Sequence, residues 1–203
     1  MKAIYKEMKY QKNITKIIFS SAIFVLLSCG DRQENPNEFQ DLSKNTEINL
    51  EITKDTSSNS FKEIKINFPD SWEIKNNYNG NAILGLSSLI DTNDIFRENI
   101  AIQVFNLNET FDNSIVANAM FEQATKNIDV NVEKKEKWKS DNNINYYRIV
   151  YSYGYNEMDA SSVLYCNVKN KRAYVIVFTD IKETFQKNNK NYLIPIMHSI
   201  EFK

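Results

Sequence analysis

Arg172-Ala173-Tyr174-Val175-Ile176-Val177-Phe178-Thr179 is the stretch on which the fold turns. Its residues alternate as a strand requires, yet both alternating sets are apolar: Ala173, Val175 and Val177 on one side, Tyr174, Ile176 and Phe178 on the other. A strand that is apolar on both faces must be covered on both faces, so it belongs inside a sheet with a layer packed above and below. Asn99–Leu107 repeats the pattern, with Ile100, Ile102 and Val104 against Ala101, Phe105 and Leu107.

Two segments supply the helical cover. Ala117, Phe121, Ala124 and Ile128 recur at spacings of four, three and four, widened by Val116 and Met120, after the capping run Asp112-Asn113-Ser114. This predicts an amphipathic helix over 114–128. A second helix is expected over 182–199, carrying Phe185, Leu193, Ile196 and Met197, with Pro195 forcing a kink or a second start. The remaining segments read as strands. Phe61–Phe68 alternates apart from a slip at Lys62-Glu63, and Pro69-Asp70-Ser71 ends it. Trp72–Lys75 and Ala82–Leu89 flank a turn over 76–81 containing Gly80. A meander of 131–139, 144–155 and 159–168 leads through Lys169-Asn170 to the final strand. The charge on 131–139 places it near an edge. Strands, helix, strands and helix in that order make an α+β domain on an antiparallel sheet.

The same order resembles a known family. The opening strand runs into Phe68-Pro69-Asp70-Ser71-Trp72. A long strand and a mid-domain helix follow, then Tyr-rich strands, Tyr174-Val175-Ile176-Val177-Phe178-Thr179, and a last helix ending His198-Ser199-Ile200-Glu201-Phe202. Together they are similar to the PsbP-like domain, shared with DcrB-like bacterial lipoproteins, over nearly all of residues 60–203. The resemblance implies a twisted antiparallel sheet with helices packed on it. Members include extrinsic photosystem subunits, a Ran-binding protein and secretion-associated chaperones. They share protein partners rather than a chemistry, so no functional residue carries over.

The N-terminal segment has a different character. Lys2, Lys6, Lys9, Lys12 and Lys16 precede an uncharged run from Ile17 to Leu27, and Leu26-Leu27-Ser28-Cys29 follows the pattern of a bacterial lipobox. The apolar run is too short to cross a bilayer core, which needs about 20 helical residues. We read residues 1–28 as a lipoprotein signal peptide, Cys29 as the lipidated residue, 29–59 as a polar tether and 60–203 as one globular domain. Ile48, Leu50 and Ile52 alternate with Asn49 and Glu51, which fits either a short first strand or chance alternation in the tether. The full chain has 25 basic and 26 acidic residues, and removing 1–28 leaves a net charge of about −5. Such a chain has no basic footprint for nucleic acid. The membrane contact is expected through the lipid, placing the protein in the bacterial cell envelope.

Chemistry is hard to find. His198, the sole histidine, adjoins Ser199 on a helix, where neighbours do not face each other. Cys166 shares strand parity with Leu164 and Val168, which makes it a core thiol. Asp91-Thr92-Asn93-Asp94 with Glu98 gathers carboxylates, but Ile95 stands where an EF-hand ligand belongs, so a solvated loop is the reading. We expect no catalytic residue, no metal and no cofactor. The tyrosines remain. Tyr147, Tyr151, Tyr153 and Tyr155 share one parity, Tyr146 lies opposite, and Trp138 stands on the charged strand nearby. Antiparallel sheets favour tyrosine for packing alone, and an aromatic-lined groove is the functional alternative. The expectation is a lipid-anchored, non-catalytic protein-binding or assembly module. Trp138, Tyr147, Tyr151, Tyr153 and Tyr155 are its candidate contacts; small-ligand binding on that face and an unrecognised enzyme site are the alternatives.

Overall fold

The chain runs β1 (Ile52–Lys54), a 3-10 turn (Ser60–Glu63), β2 (Ile64–Lys65), β3 (Glu73–Tyr78), β4 (Asn81–Leu86), β5 (Asn99–Leu107), α1 (Asn113–Thr125), β6 (Val130–Lys139), β7 (Asn145–Tyr155), β8 (Met158–Lys169), β9 (Arg172–Ile181), α2 (Lys182–Asn188), a π-helical turn (Asn189–Leu193), α3 (Ile194–Ser199) and β10 (Glu201–Phe202). The structure, a computed structural model, describes residues 52–54, 60–78, 80–89, 96–155 and 158–203. Cys29, the signal segment and the Ile48–Leu50 alternation therefore lie outside the described residues, as does the Asp91–Asp94 loop.

An eight-stranded antiparallel sheet follows the order β3-β4-β5-β9-β8-β7-β6, with β1 also paired to β5. β9 lies between β5 and β8, so its two apolar faces each receive a layer. Tyr174, Ile176 and Phe178 meet Phe185, Leu193, Ile196 and Met197 from the C-terminal helical segment. Ala173, Val175 and Val177 meet Val116, Ala117, Met120 and Phe121 of α1. Ile176 and Phe178 are both 0 % exposed. Burying a side chain of this kind is worth about 1.5–3 kcal/mol. The α+β class and the helix-covered antiparallel sheet stand as expected.

α1 starts where the capping run predicted. The Asp112 carboxylate accepts the Ser114 backbone N–H at 2.8 Å. β6 is the terminal strand, paired only with β7 among the described residues, and its register shifts between Val132 and Lys134.

Three local readings are corrected. Phe61–Phe68 is not one strand: a 3-10 turn occupies Ser60–Glu63, and β2 is only two residues long. In a 3-10 turn residues three apart eclipse, so the slip at Lys62-Glu63 brings Phe61 and Ile64 onto the same side and into the core. β2 pairs with β10 rather than with the main sheet. The β3–β4 turn is shorter than expected, because β3 continues to Tyr78 and Gly80 (φ 73°) carries the reversal. The β8–β9 turn is shifted by one residue. Lys169 pairs with Arg172, leaving Asn170 (φ 53°) and Lys171 (φ 57°) in the two left-handed positions of a type I′ hairpin. The C-terminal helical segment runs from Lys182 to Ser199 as expected, as α2, the π-helical turn and α3, and Pro195 in the first turn of α3 marks the second start its ring demands. Proline has no N–H to donate, and the wider π turn absorbs the lost helical bond just before it. The strand Ile52–Lys54, antiparallel to Leu107–Phe105, falls within the stretch read as tether.

Candidate functional site

The structure separates the aromatic residues that sequence parity grouped. Tyr151 and Tyr153 are 4 % and 6 % exposed and lie beneath α1, where Phe121 meets the Tyr151 ring edge-on at 5.1 Å. Burial pushes the Tyr151 phenol up. These two are packing residues, not the walls of an open groove. Trp138 is directly opposite Tyr146 in the β6–β7 register, so its ring lies on the other face, 5.0 Å from Tyr165 and 5.7 Å from Tyr146. Tyr147 is half-buried. It and Trp138 border a cleft of about 400 Å³ beside the start of α1, approached from opposite faces of the strands. The Tyr155 backbone ends β7, while its side chain lies outside the described residues.

Cys166 is fully buried against the α1 face, and burial pushes its thiol well up. His198 Nδ1 accepts the Asp141 backbone N–H at 2.7 Å, and its ring is 5.7 Å from Trp138. Ser199 Oγ instead donates to the Ile196 carbonyl at 2.7 Å and accepts the Asn67 N–H at 2.9 Å. No hydrogen bond therefore couples serine to imidazole. Among the described residues no three His, Cys, Asp or Glu side chains are placed to hold a metal ion, and no helix is long and apolar enough to cross a membrane.

A more open feature lies at the other end of the sheet. Between the segment 61–70 and the β3–β4 hairpin runs a groove of about 690 Å³. Phe61, Ile66 and Phe68 form one wall, Ile74 and Ile83 the other, with Trp72 at one end. The groove has no local signature, because the alternation of 61–68 reads as a strand in the sheet whereas the segment crosses over it. The floor depends on Gly85. A Cβ there would sit 2.5 Å from Cε1 of Phe68, so only glycine lets that ring lie against β4. Ile74 is 40 % exposed. Trp72 is buried between Phe68 and Tyr192, each ring 6.0 Å away. Lys62, Lys65 and Lys203 border the groove against the single acid Asp70.

An acid–amide cluster fixes the helical segment that carries Tyr192. Asp180, fully buried at the end of β9, accepts from Thr184 Oγ1 at 2.9 Å and Asn188 Nδ2 at 3.0 Å. Asn188 Nδ2 also donates to Glu98 Oε1 at 2.8 Å, and Ser87 Oγ donates to the other Glu98 oxygen. Burial, helped by the Glu98 charge, pushes the Asp180 carboxyl up to about 6. Next to Glu98, Arg97 donates to Glu73 Oε2 at 2.9 Å, which links the cluster to the start of β3.

No protein-family model matches the sequence, and no curated protein matches it either. Solved structures do match. LpqN of Mycobacterium tuberculosis, described as involved in cell envelope biogenesis, overlays with a TM-score of 0.52 at 12 % identity. The overlay covers 75 % of this chain and 92 % of LpqN. The fold is shared with LpqN. The cyanobacterial PsbP protein CyanoP from Synechocystis sp. PCC 6803 overlays at 0.47 with 11 % identity, covering 76 % of this chain and 92 % of CyanoP. A PsbP protein thus stands among the structural neighbours, while the LpqN overlay carries the argument for the common fold.

Neither the groove nor the acid–amide cluster was identified by motif. Phe68-Pro69-Asp70-Ser71-Trp72 was the available signal: two aromatics bracketing a tight turn, beside a strand with an outward isoleucine. Trp72 N–H donates to the Pro69 carbonyl at 2.9 Å, so the turn sets both rings at the groove.

Proposed function

We propose that this protein is a lipid-anchored cell-envelope component whose domain binds another protein and performs no reaction of its own. The observation that carries the reading is the groove beside β3. It has apolar walls within a charged rim, is open to solvent and is bounded by a strand with an unpaired edge among the described residues. Apolar surface gathered in a concavity marks an interaction site more often than scattered exposed residues do. The basic head, short apolar run and Cys29 support the envelope address. The description of LpqN as a protein of envelope biogenesis is consistent with it.

The test uses the full chain in its own cells. A photo-crosslinking residue is placed at Ile74 or at Val132, which are equally exposed at 40 % on opposite edges. A protein adduct is expected at 74 and none at 132. In parallel, Cys29→Ser should lose labelled fatty acid and leave the membrane fraction. No adduct at 74, or equal adducts at both positions, overturns the binding reading. A Cys29→Ser chain that stays membrane-bound and uncleaved overturns the lipid anchor.

A further inference from the structure

Resting on the protein-binding reading above, we propose that the groove takes an extended segment of the partner, added as a strand along the free edge of β3, with apolar side chains at alternate positions and acidic ones between them. Three independent features define this occupant.

The first is backbone capacity. Among the described residues β3 pairs with β4 alone, and β2, on the opposite bank of the groove, pairs with β10 alone. β3 thus has one row of N–H and C=O groups along its six residues not used by a neighbour, while β2, only two residues long, contributes mainly side chains to its bank. An incoming extended chain satisfies such a row, whereas a helix, whose backbone groups are already paired within it, does not.

The second is the spacing of the apolar contacts. Ile74 and Asn76 are two apart on β3 and share a face with Ile83 of β4, which is directly opposite Asn76. Phe61, Ile66 and Phe68 face them from the other bank. A strand running between the banks points every second side chain into this apolar space and the intervening ones out to the rim.

The third is charge. The chain as a whole carries −1, and about −5 once residues 1–28 are excluded. The groove departs from this balance, with Lys62, Lys65 and Lys203 against Asp70. Lys65 is engaged by Glu201 at 2.9 Å, but both side chains are more than half exposed, so that pair is weak and exchangeable. Lysines at the rim of an apolar cleft select carboxylates at the rim positions of the ligand.

The test titrates isotope-labelled domain, released from the lipid by Cys29→Ser in the full chain, with three ten-residue peptides. Each has valine at alternate positions, with Glu, Gln or Lys between. At low salt the Glu peptide should bind about tenfold more tightly than the Lys peptide, with Gln intermediate, and the order should collapse in about 1 M salt. Amide shifts should centre on Glu73–Asn76. N-methylating alternate backbone nitrogens on one side of the Glu peptide should reduce binding at least tenfold, while methylating the other side should not. Ile74→Asp should weaken the Glu peptide without shifting the melting temperature, since its side chain is exposed. Binding that ignores N-methylation, a preference for the Lys peptide, or shifts centred elsewhere each overturns strand addition. So does the absence of shifts with all three peptides. If crosslinking at Ile74 nevertheless traps a partner in cells, the binding function stands and only the strand-addition mode falls.

Discussion

Ile74 on β3 and Val132 on β6 are both 40 % exposed, each on an outermost strand of the main sheet, yet the two edges around them differ in construction. β6 is ten residues long, and Val132 is followed directly by Glu133, Lys134, Lys135, Glu136 and Lys137. Its register breaks between Val132 and Lys134, and Arg148 of β7 binds back to Glu136. Charges, an irregular register and long solvated side chains are the devices by which sheets stop foreign strands from adding. β3 is six residues long, ends near Asn77 at φ 51°, and faces an apolar groove on its inner side. The contrast teaches that exposure alone is ambiguous. An apolar residue inside a charged edge is defended, while one beside an apolar groove remains available.

Each edge also has one tryptophan, and these provide the strongest test of the contrast. Trp72 is 7 % exposed and sits between Phe68 and Tyr192. Trp72→Ala should cost about 3–5 kcal/mol, read from urea denaturation. Trp138 is half-buried on an outermost strand, so Trp138→Ala should cost about 2 kcal/mol. A larger loss at Trp138 would show that the aromatic cluster with Tyr146 and Tyr165, not the β3 side, is the tighter anchor.

A smaller effect separates the two edges by pH. Asp180 has a folded pKa raised to about 6 by burial, above its usual carboxylate value. The fold therefore holds the proton more tightly than the unfolded chain does. The stability from this group is fully present below about pH 4 and is lost as pH rises through about 6. The loss should be about 1–2 kcal/mol after allowance for partial solvation. Asp180→Asn abolishes this slope, whatever its absolute stability. Hydrogen exchange should locate the change in α2 and around Tyr192 and Trp72, leaving β6 and β7 unaffected. A slope that survives Asp180→Asn would assign the titration elsewhere.

The smallest change in stability should come with a change in solubility. Replacing Lys134, Lys135 and Lys137 by threonine alters exposed side chains, so the midpoint of unfolding should move by no more than about 0.5 kcal/mol. Sedimentation should nonetheless reveal self-association, because the defended edge has lost its charges. A monomer at all concentrations would mean that the register break alone suffices.

Much of the fold was legible because its signals are periodic. Asn99–Leu107 is β5 to the residue, and β9 follows from two apolar parities in one strand. The candidate site was legible only in part, since parity names a face but not what covers it. Tyr151 and Tyr153 share a face as their parity implies, yet α1 covers them. Trp138 is on the neighbouring strand, but its register opposite Tyr146 puts it on the other side. The groove escaped because it depends on where the 61–70 segment crosses the sheet. That crossing is set by long-range pairing of Lys65 with Glu201 and Ile64 with Phe202, which no local pattern encodes.

The junction of the two halves of the sheet has a consequence in time. Strands β6 to β9 pair each with the next, so that half assembles through short hairpin closures. β5 has to wait, because Asn99 pairs with Thr179 and Asn106 with Arg172, near the far end of the chain. Contacts between segments so distant in sequence close late and slowly, since the loop entropy is spent before they form. β3 to β5 also pair each with the next, but that meander cannot dock until β9 has emerged. A chain still passing through a narrow channel would hold the β3–β5 meander apart from the rest of the sheet, with the groove among the final features to appear, because β2 pairs with β10.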